Sequence, residues 1–268
     1  MTRARRIPVI ALWVLFATAV LADVLAPARY DEQFREYPNA RPCRRFPLGT
    51  DELGRDRLSR LLHGTRISLL LAPAAALIAT ALAGIIGLAA GLRGGVVERA
   101  VVLSADLFQS LPWFFLLLTA RALLPLNVTP LASIVVTFAI LSLLGWSGPV
   151  RVVRAGVRAV RESDYVLQAR ALGCSRVRVF FLHLLPNLRP VLLAQFWVSV
   201  PLFVLAEANL SLLGLGVAEP LPSLGTLLRE LENYSAVAAR PWILAPACLL
   251  TGVMGCFQLA FPKGDRIG

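Results

Sequence analysis

A single carboxylate stands deep inside an apolar run: Glu207, within Pro190–Val217. Lipid cannot solvate such a group, so it must face a bundle interior, a water-filled path or a hydrogen-bonding partner. Two readings stay open from sequence. Glu207 is either a functional group on a path or one end of a hydrogen bond to another helix, with Asn209 and Gln195 the nearby polar candidates. Other chemistry-bearing types are sparse. His63 and His183 lie far apart near polar stretches, and Cys43, Cys174, Cys248 and Cys256 make no CxxC pair, so no metal-ligand spacing is visible. The chain carries no G-x-x-x-x-G-K-[ST] phosphate loop and is expected to bind no ATP or other cofactor itself. A membrane-embedded enzyme would need several His, Asp, Glu or Cys residues at one depth. No such cluster is legible, and no catalytic residue is expected.

The elements that hold Glu207 are membrane spans. Of 268 residues, 57% are hydrophobic and 16% charged, with mean hydropathy +0.70. Several apolar stretches reach the roughly 20 residues needed to cross about 30 Å of hydrocarbon. The net charge of +11 fits Lys and Arg gathering on cytoplasmic flanks. No aromatic-basic platform supports nucleic-acid binding. Cys248 and Cys256 sit in an apolar run as small packing residues.

Six spans are predicted: Ile7–Leu25, Ile67–Leu92, Leu107–Leu126, Val128–Pro149, Pro190–Val217 and Pro241–Phe261. Arg3, Arg5 and Arg6 precede the first as in a signal peptide. That run is longer than a signal core and ends Leu-Ala-Asp, so an uncleaved span with its N-terminus inside is expected. The second span carries small residues every fourth position, Ala75, Ala79, Ala83, Gly87, Gly91 and Gly95, which predict a close helix contact centred on Ala83, Gly87 and Gly91. In the third span Pro112 predicts a kink or a segment entering the membrane, and Arg121 is expected to snorkel to the interface rather than line a path. Arg93–Asp106 reads as a short polar turn.

Between the first two spans, Asp23–Arg66 is the most polar stretch. Leu53, Leu58, Leu61 and Leu62 there predict a short helix in the interface. After the fourth span, Arg151, Arg154, Arg158 and Arg161 share one helical face, suited to anionic headgroups or a partner. Span parity places Arg151–Arg189 and both termini in the cytoplasm and Asp23–Arg66 outside. The nine arginines of Asp23–Arg66 run against that assignment. Thr226–Ala239 is expected to return as an amphipathic piece on the outer face.

Ser163–Asn187 fits neither a span nor a soluble core. Asp164 suits the start of a helix over Asp164–Leu172, Gly173 suits its left-handed end, Ser175 caps a second helix, and Pro186 is expected to stop it. The stretch is either a lever gripped from outside the membrane or an amphipathic loop on the lipid surface.

Its spacing resembles a family. Tyr165, Ala169, Gly173, His183, Leu185, Pro186 and Asn187 fall where the cytoplasmic EAA loop of ABC importer permeases has its signature residues. Pro47, Gly49, Thr50, Asp51, Gly54, Arg55, Asp56, Ser59, Arg60, Gly64 and Ser68 match "HPLGTDxxGRDxxSRxxxGxRxSL" of the C-type permeases of dipeptide, oligopeptide and nickel importers, with Phe46 replacing the histidine. Leu205–Gly225 resembles "EAxLSFLGLGxxPPxPSWG", and Gly94, Gly95, Glu98 and Asp106 partly match "GGxxDxxxxRxxD", Glu98 replacing an aspartate.

The resemblance implies an all-α polytopic permease of type I ABC importer fold. Residues 1–66 would form the N-terminal transmembrane helix and an extracytoplasmic segment, and 67–268 a five-helix core with a coupling loop at 151–189. It implies a second permease subunit, as a heterodimer, two ATPase subunits that bind the ATP, an extracytoplasmic substrate-binding protein and surrounding lipid. The cargo would be peptides or nickel chelates. Asp164, Tyr165, Ala169, Gly173, His183, Leu185 and Pro186 would contact the ATPase. Two departures stand out: Leu167 replaces the acidic residue of the loop, and the tail keeps only Gly264, Asp265 and Arg266 of the closing segment. The rival classes are a membrane-embedded enzyme and a non-transporting membrane scaffold.

Overall fold

The structure is a computed structural model that describes residues 3–125 and 128–260. Its regular elements are all helices, with no strand among the described residues. The tail Pro262–Gly268 and the predicted span ends Leu126 and Phe261 lie outside the described residues.

Helix α1 (Arg3–Val20) and the single turn α2 (Ala22–Leu25) form the first apolar segment. Helix α3 (Arg57–Arg93) is long enough to span, and so are Pro130–Arg161, Val177–Leu212 and Pro241–Ala260. Helices α4 (Gly95–Ser110) and α5 (Trp113–Ala122) qualify as one span broken by an 86° bend. With the shorter Arg6–Val20, this gives the six apolar segments expected.

Three expectations about boundaries are corrected. The short interfacial helix is not separate: Leu58, Leu61 and Leu62 lie on α3 itself, and Leu53 lies in a turn before it. Asp56 starts α3 by accepting from the Ser59 backbone N–H (2.7 Å) and hydroxyl (2.6 Å), and nothing after it breaks the helix. The polar turn at Arg93–Asp106 is only the Gly94 corner (φ 67°), because α4 begins at Gly95 and runs through the polar residues. Gly95 therefore sits off the α3 stripe, and a side chain there would meet nothing within 4 Å.

The chain divides into two compact units: Met1–Ala72 with Arg121–Phe138 and Pro201–Gly268, and Pro73–Ala120 with Ala139–Val200. In the first, α1 packs against α13 (Ala245–Ala260). The irregular Ala26–Asp56 stretch folds beside Leu213–Pro241, which holds α11 (Leu224–Leu228) and α12 (Tyr234–Ala239). The remaining helices are α6 (Pro130–Leu144), α7 (Ser147–Arg161), α8 (Asp164–Ala171), α9 (Arg176–Val179) and α10 (Leu185–Leu212).

In the second unit α7 turns Val150, Val153 and Val157 inward and its arginines the other way. Val150 packs with Ala83 and Ala105, and Val153 and Val157 with Leu184 and Leu188. Pro186 does not stop the second half of the hairpin. Phe180–Leu184 forms a π turn that leads straight into α10, so the helix continues through Pro186.

Candidate functional site

Glu207 is fully buried in the first unit. Its Oε2 accepts from Ser68 Oγ at 3.0 Å and its Oε1 from Ser211 Oγ at 2.7 Å. Ser68 Oγ also accepts the Leu224 N–H at 3.2 Å, and Ser211 Oγ lies 3.4 Å from Ser223 Oγ. This network joins α3, α10 and the chain leading into α11. The loop packs so tightly that a Cβ on Gly225 would come within 2.6 Å of the Ala208 Cα. Glu207 thus makes a hydrogen bond between helices, one of its two readings. Its partners are serines, while Asn209 and Gln195 stand half-buried on the same helix.

Beside this network lies a cavity of about 980 Å³, lined in part by Asp51, Arg57, Arg60, Ser211, Glu219 and Glu230. Asp51 Oδ1 takes the N–H groups of Leu53 (3.0 Å) and Arg55 (2.8 Å), an Asx turn that sets the loop. Its Oδ2 accepts from Arg55 Nε at 2.6 Å, and Arg55 Nη1 reaches Glu219 at 2.9 Å, 164 positions away. Arg60 stands 3.5 Å from Glu219 and 3.8 Å from Asp51. Arg57 pairs with Glu230, and Arg240 donates to Asn39.

Burial works to raise the Glu219 carboxyl, but the Arg55 hydrogen bond and the charges of Arg55 and Arg60 hold it below the ordinary carboxylate value. Burial likewise disfavours the Arg55 charge, and the hydrogen bonds to Glu219 and Asp51 outweigh it, so Arg55 is raised. Phe46, the substitute for histidine, packs against Phe34 with ring centroids 5.1 Å apart, and the Arg45 guanidinium lies 5.3 Å from its centroid. Arg121 does not snorkel. It is 2% exposed and donates to the Pro125 carbonyl at 3.3 Å, which satisfies part of the guanidinium inside the protein.

The hairpin belongs to the second unit. Asp164 opens α8 after Ser163, whose backbone is extended. The helix ends as a Schellman motif: the Gly173 N–H bonds the Arg170 carbonyl and the Cys174 N–H the Ala169 carbonyl, both at 3.0 Å, with Gly173 at φ +82°. Ser175 Oγ accepts the Arg178 N–H at 3.3 Å. Tyr165 and His183 bring the two halves together, ring centroids 5.9 Å apart. Leu185 and Pro186 are exposed, as is Asp164; Ala169 is half-buried. Leu167 and Leu172 are exposed too, Leu172 at 86%.

On α3, a Cβ at Gly87 would lie 3.0 Å from the Val150 carbonyl and the Val153 Cβ, and one at Gly91 2.6 Å from Val157 Cγ1. Ala83 is buried beside Val150. The arginines of α7 also find partners within this unit. Arg154 and Arg158 hold Glu98, Arg151 meets Asp106 at 3.1 Å, and Arg161 Nη1 donates to the Gly91 and Leu92 carbonyls, both at 3.0 Å.

Sequence reasoning left Ser68, Ser211, Ser223, Arg55, Arg60 and Glu219 without roles of their own. Their signal was the motifs themselves: residues of two separate signatures meet at Glu207 and Glu219.

Apolar helices of spanning length, with a polar hairpin between the fourth and fifth, define a multi-pass membrane protein. The family model for "Binding-protein-dependent transport system inner membrane component" matches residues 83–258, and the chain belongs to that family. It is a family of transport permeases, not enzymes. The chain is 32% identical over 250 residues, 93% of its length and 84% of the relative's, to the oligopeptide transport system permease protein OppC of Mycobacterium bovis. It is 34% identical to the dipeptide transport system permease protein DppC of Bacillus subtilis, over 92% of this chain and 76% of that one. For the di/tripeptide transport system permease protein DppC of Pseudomonas aeruginosa the values are 36%, 81% and 71%.

Proposed function

We propose that this chain is a permease subunit of an ATP-driven importer for peptides, forming the translocation path together with a second permease subunit. The observation that carries this is the hairpin. A capped short helix with exposed Tyr165 and Leu167, ended by a left-handed Gly173, stands between two spanning segments of a family permease. Two ATPase subunits bind and hydrolyse the ATP, and their closure displaces Asp164–Pro186. Alternating access then needs two packings close in free energy, with nucleotide biasing one. An extracytoplasmic binding protein delivers cargo on the side of the Asp51–Glu219 cavity. The exposed apolar Leu167 takes the place of an acidic contact with the ATPase.

Both termini and the hairpin lie in the cytoplasm and Asp23–Arg66 outside. Peptides are favoured over nickel chelates because the three relatives above carry peptide names. A membrane-embedded enzyme or a passive scaffold would leave the hairpin without a task.

Two measurements test this. In a chain keeping only Cys43 and Cys174, an impermeant thiol reagent applied to intact cells labels Cys43 alone; labelling of Cys174 instead reverses the orientation. Purification of the chain from its native membrane recovers two ATPase subunits and a second permease; recovery without them removes the importer reading.

A further inference from the structure

We propose that Glu98 is the positioning residue that ties the hairpin's stem, α7, to the broken span α4–α5, so that hairpin displacement reaches the bend at Leu111–Pro112. The inference rests on the coupling reading of the hairpin given above. Arg161, the last residue of α7, is three positions before Asp164, so any force on α8 enters α7 directly.

Several contacts hold α7 to its neighbours, the Arg151–Asp106 pair at 3.1 Å among them, and they differ in what they fix. Val150 against Ala83 and Ala105 is apolar packing, which permits small sliding of one helix along another. Arg161 pins the end of α7 to carbonyls at the carboxy end of α3, groups that lack partners within their own helix. Glu98 alone fixes α4 at the hairpin end. Its Oε1 accepts from Arg154 Nε at 2.7 Å and from Arg154 Nη2, and Arg158 Nη1 reaches it at 3.3 Å from the next turn of α7. Two arginines on one carboxylate set the position of α4 along α7 as well as their separation. The Glu98 side chain is 16% exposed, enclosed by the two arginines. At the far end of α4, Gln109 Nε2 donates to the Ser147 carbonyl at 2.9 Å and Phe108 meets Trp146 edge-on. The helix is thus held at both ends, and its next two residues begin the 86° bend.

The test uses the assembled transporter in lipid nanodiscs and proteoliposomes. Spin labels replace the exposed Leu103 on α4 and Val152 on α7 in a chain lacking its native cysteines. With Glu98 present, the label separation is the same with and without a non-hydrolysable ATP analogue. With Glu98→Gln it becomes broad or nucleotide-dependent. Peptide taken up per ATP hydrolysed then falls about tenfold, within the range of ordinary coupling free energies. ATP hydrolysis and subunit recovery stay unchanged. Glu98→Asp, which keeps the charge, restores both readings.

A Glu98→Gln transporter with native label separation and native uptake per ATP overturns the proposal. So does a native transporter whose α4–α7 separation itself changes with nucleotide. Equal loss of assembly in Glu98→Gln and Glu98→Asp reduces Glu98 to a structural residue and also overturns it. A native preparation that contains no ATPase subunits refutes the coupling reading instead, and this inference falls with it.

Discussion

Ser68 on α3 and Glu207 on α10, 139 positions apart, share a hydrogen bond of 3.0 Å in a place where neither side chain touches solvent. The bond has an energetic asymmetry. Making it contributes modestly, whereas removing one partner strands buried hydroxyls at about 1–3 kcal/mol each. Glu207→Ala strands Ser68 and Ser211 together, so it should lower the melting temperature of the purified protein and reduce assembly. Glu207→Gln keeps an acceptor and the shape, and should retain most of the stability and uptake. Loss of uptake in a stable Glu207→Gln protein would show that the charge itself is needed.

The close approach of α3 and α7 gives a second outcome. Even Gly91→Ala puts a methyl group 2.6 Å from Val157 Cγ1, and overpacking of this kind costs about 1–3 kcal/mol. Gly148→Ala, where nothing lies within 4 Å, is the matched control. Thermal melting should drop for Gly91→Ala and stay put for Gly148→Ala. Equal melting temperatures would mean that the helices separate freely at this point.

Gly173 separates conformational from steric cost. A side chain there meets nothing within 4 Å, yet the backbone sits at φ +82°. Gly173→Val should therefore cost roughly 1–2 kcal/mol through the backbone alone, misplacing α8, reducing ATPase recovery and abolishing uptake. Gly173→Asn should be milder, since asparagine tolerates that region. Equal activity of the two variants would remove Gly173 as a hinge.

Glu219 predicts a pH dependence with a definite sign. Its folded carboxyl titrates below the ordinary value of 4.5, so its contribution is complete above that value and is lost as pH falls through the lower folded one. The side chain is 55% exposed, so the effect is modest. The protection of the Asp51–Arg55 amides, corrected for the intrinsic pH dependence of exchange, should be flat from neutral pH to about 5 and fall only below the ordinary carboxylate range. Glu219→Gln should show the lower protection at every pH. A change centred on neutral pH would point to a different group.

The features legible in the sequence were those with local causes. Gly173 ends α8 because a Schellman cap needs one residue at positive φ, and that demand is written in four neighbouring positions. The spans were legible because lipid sets their length. Pro186 misled because a π turn carries the helix into it, with Leu184 and Leu188 packed beside Val153 and Val157, and no local pattern encodes those contacts. Arg121 misled for the same reason: its nearness to a span end gave no sign of the Pro125 carbonyl beside it. The polar network was half visible. Two motifs flagged its members, but only the fold brings Ser68 to Glu207 and Arg55 to Glu219.

The 37 residues of α3 have a consequence for the bilayer itself. At 1.5 Å per residue the helix is about 55 Å long, against about 30 Å of hydrocarbon. Tilt cannot absorb the difference: at 40°, the steep end of what helices adopt, the helix still rises roughly 42 Å. Some 12 Å or more must stand clear of the acyl chains. The apolar stretch Leu69–Leu92 claims the lipid, so the excess falls on the turns that begin at Arg57 and Arg60. One uninterrupted helix therefore reaches past the oil, its Arg57–Arg60 end clear of the acyl chains and paired within the protein, its apolar stretch Leu69–Leu92 among them.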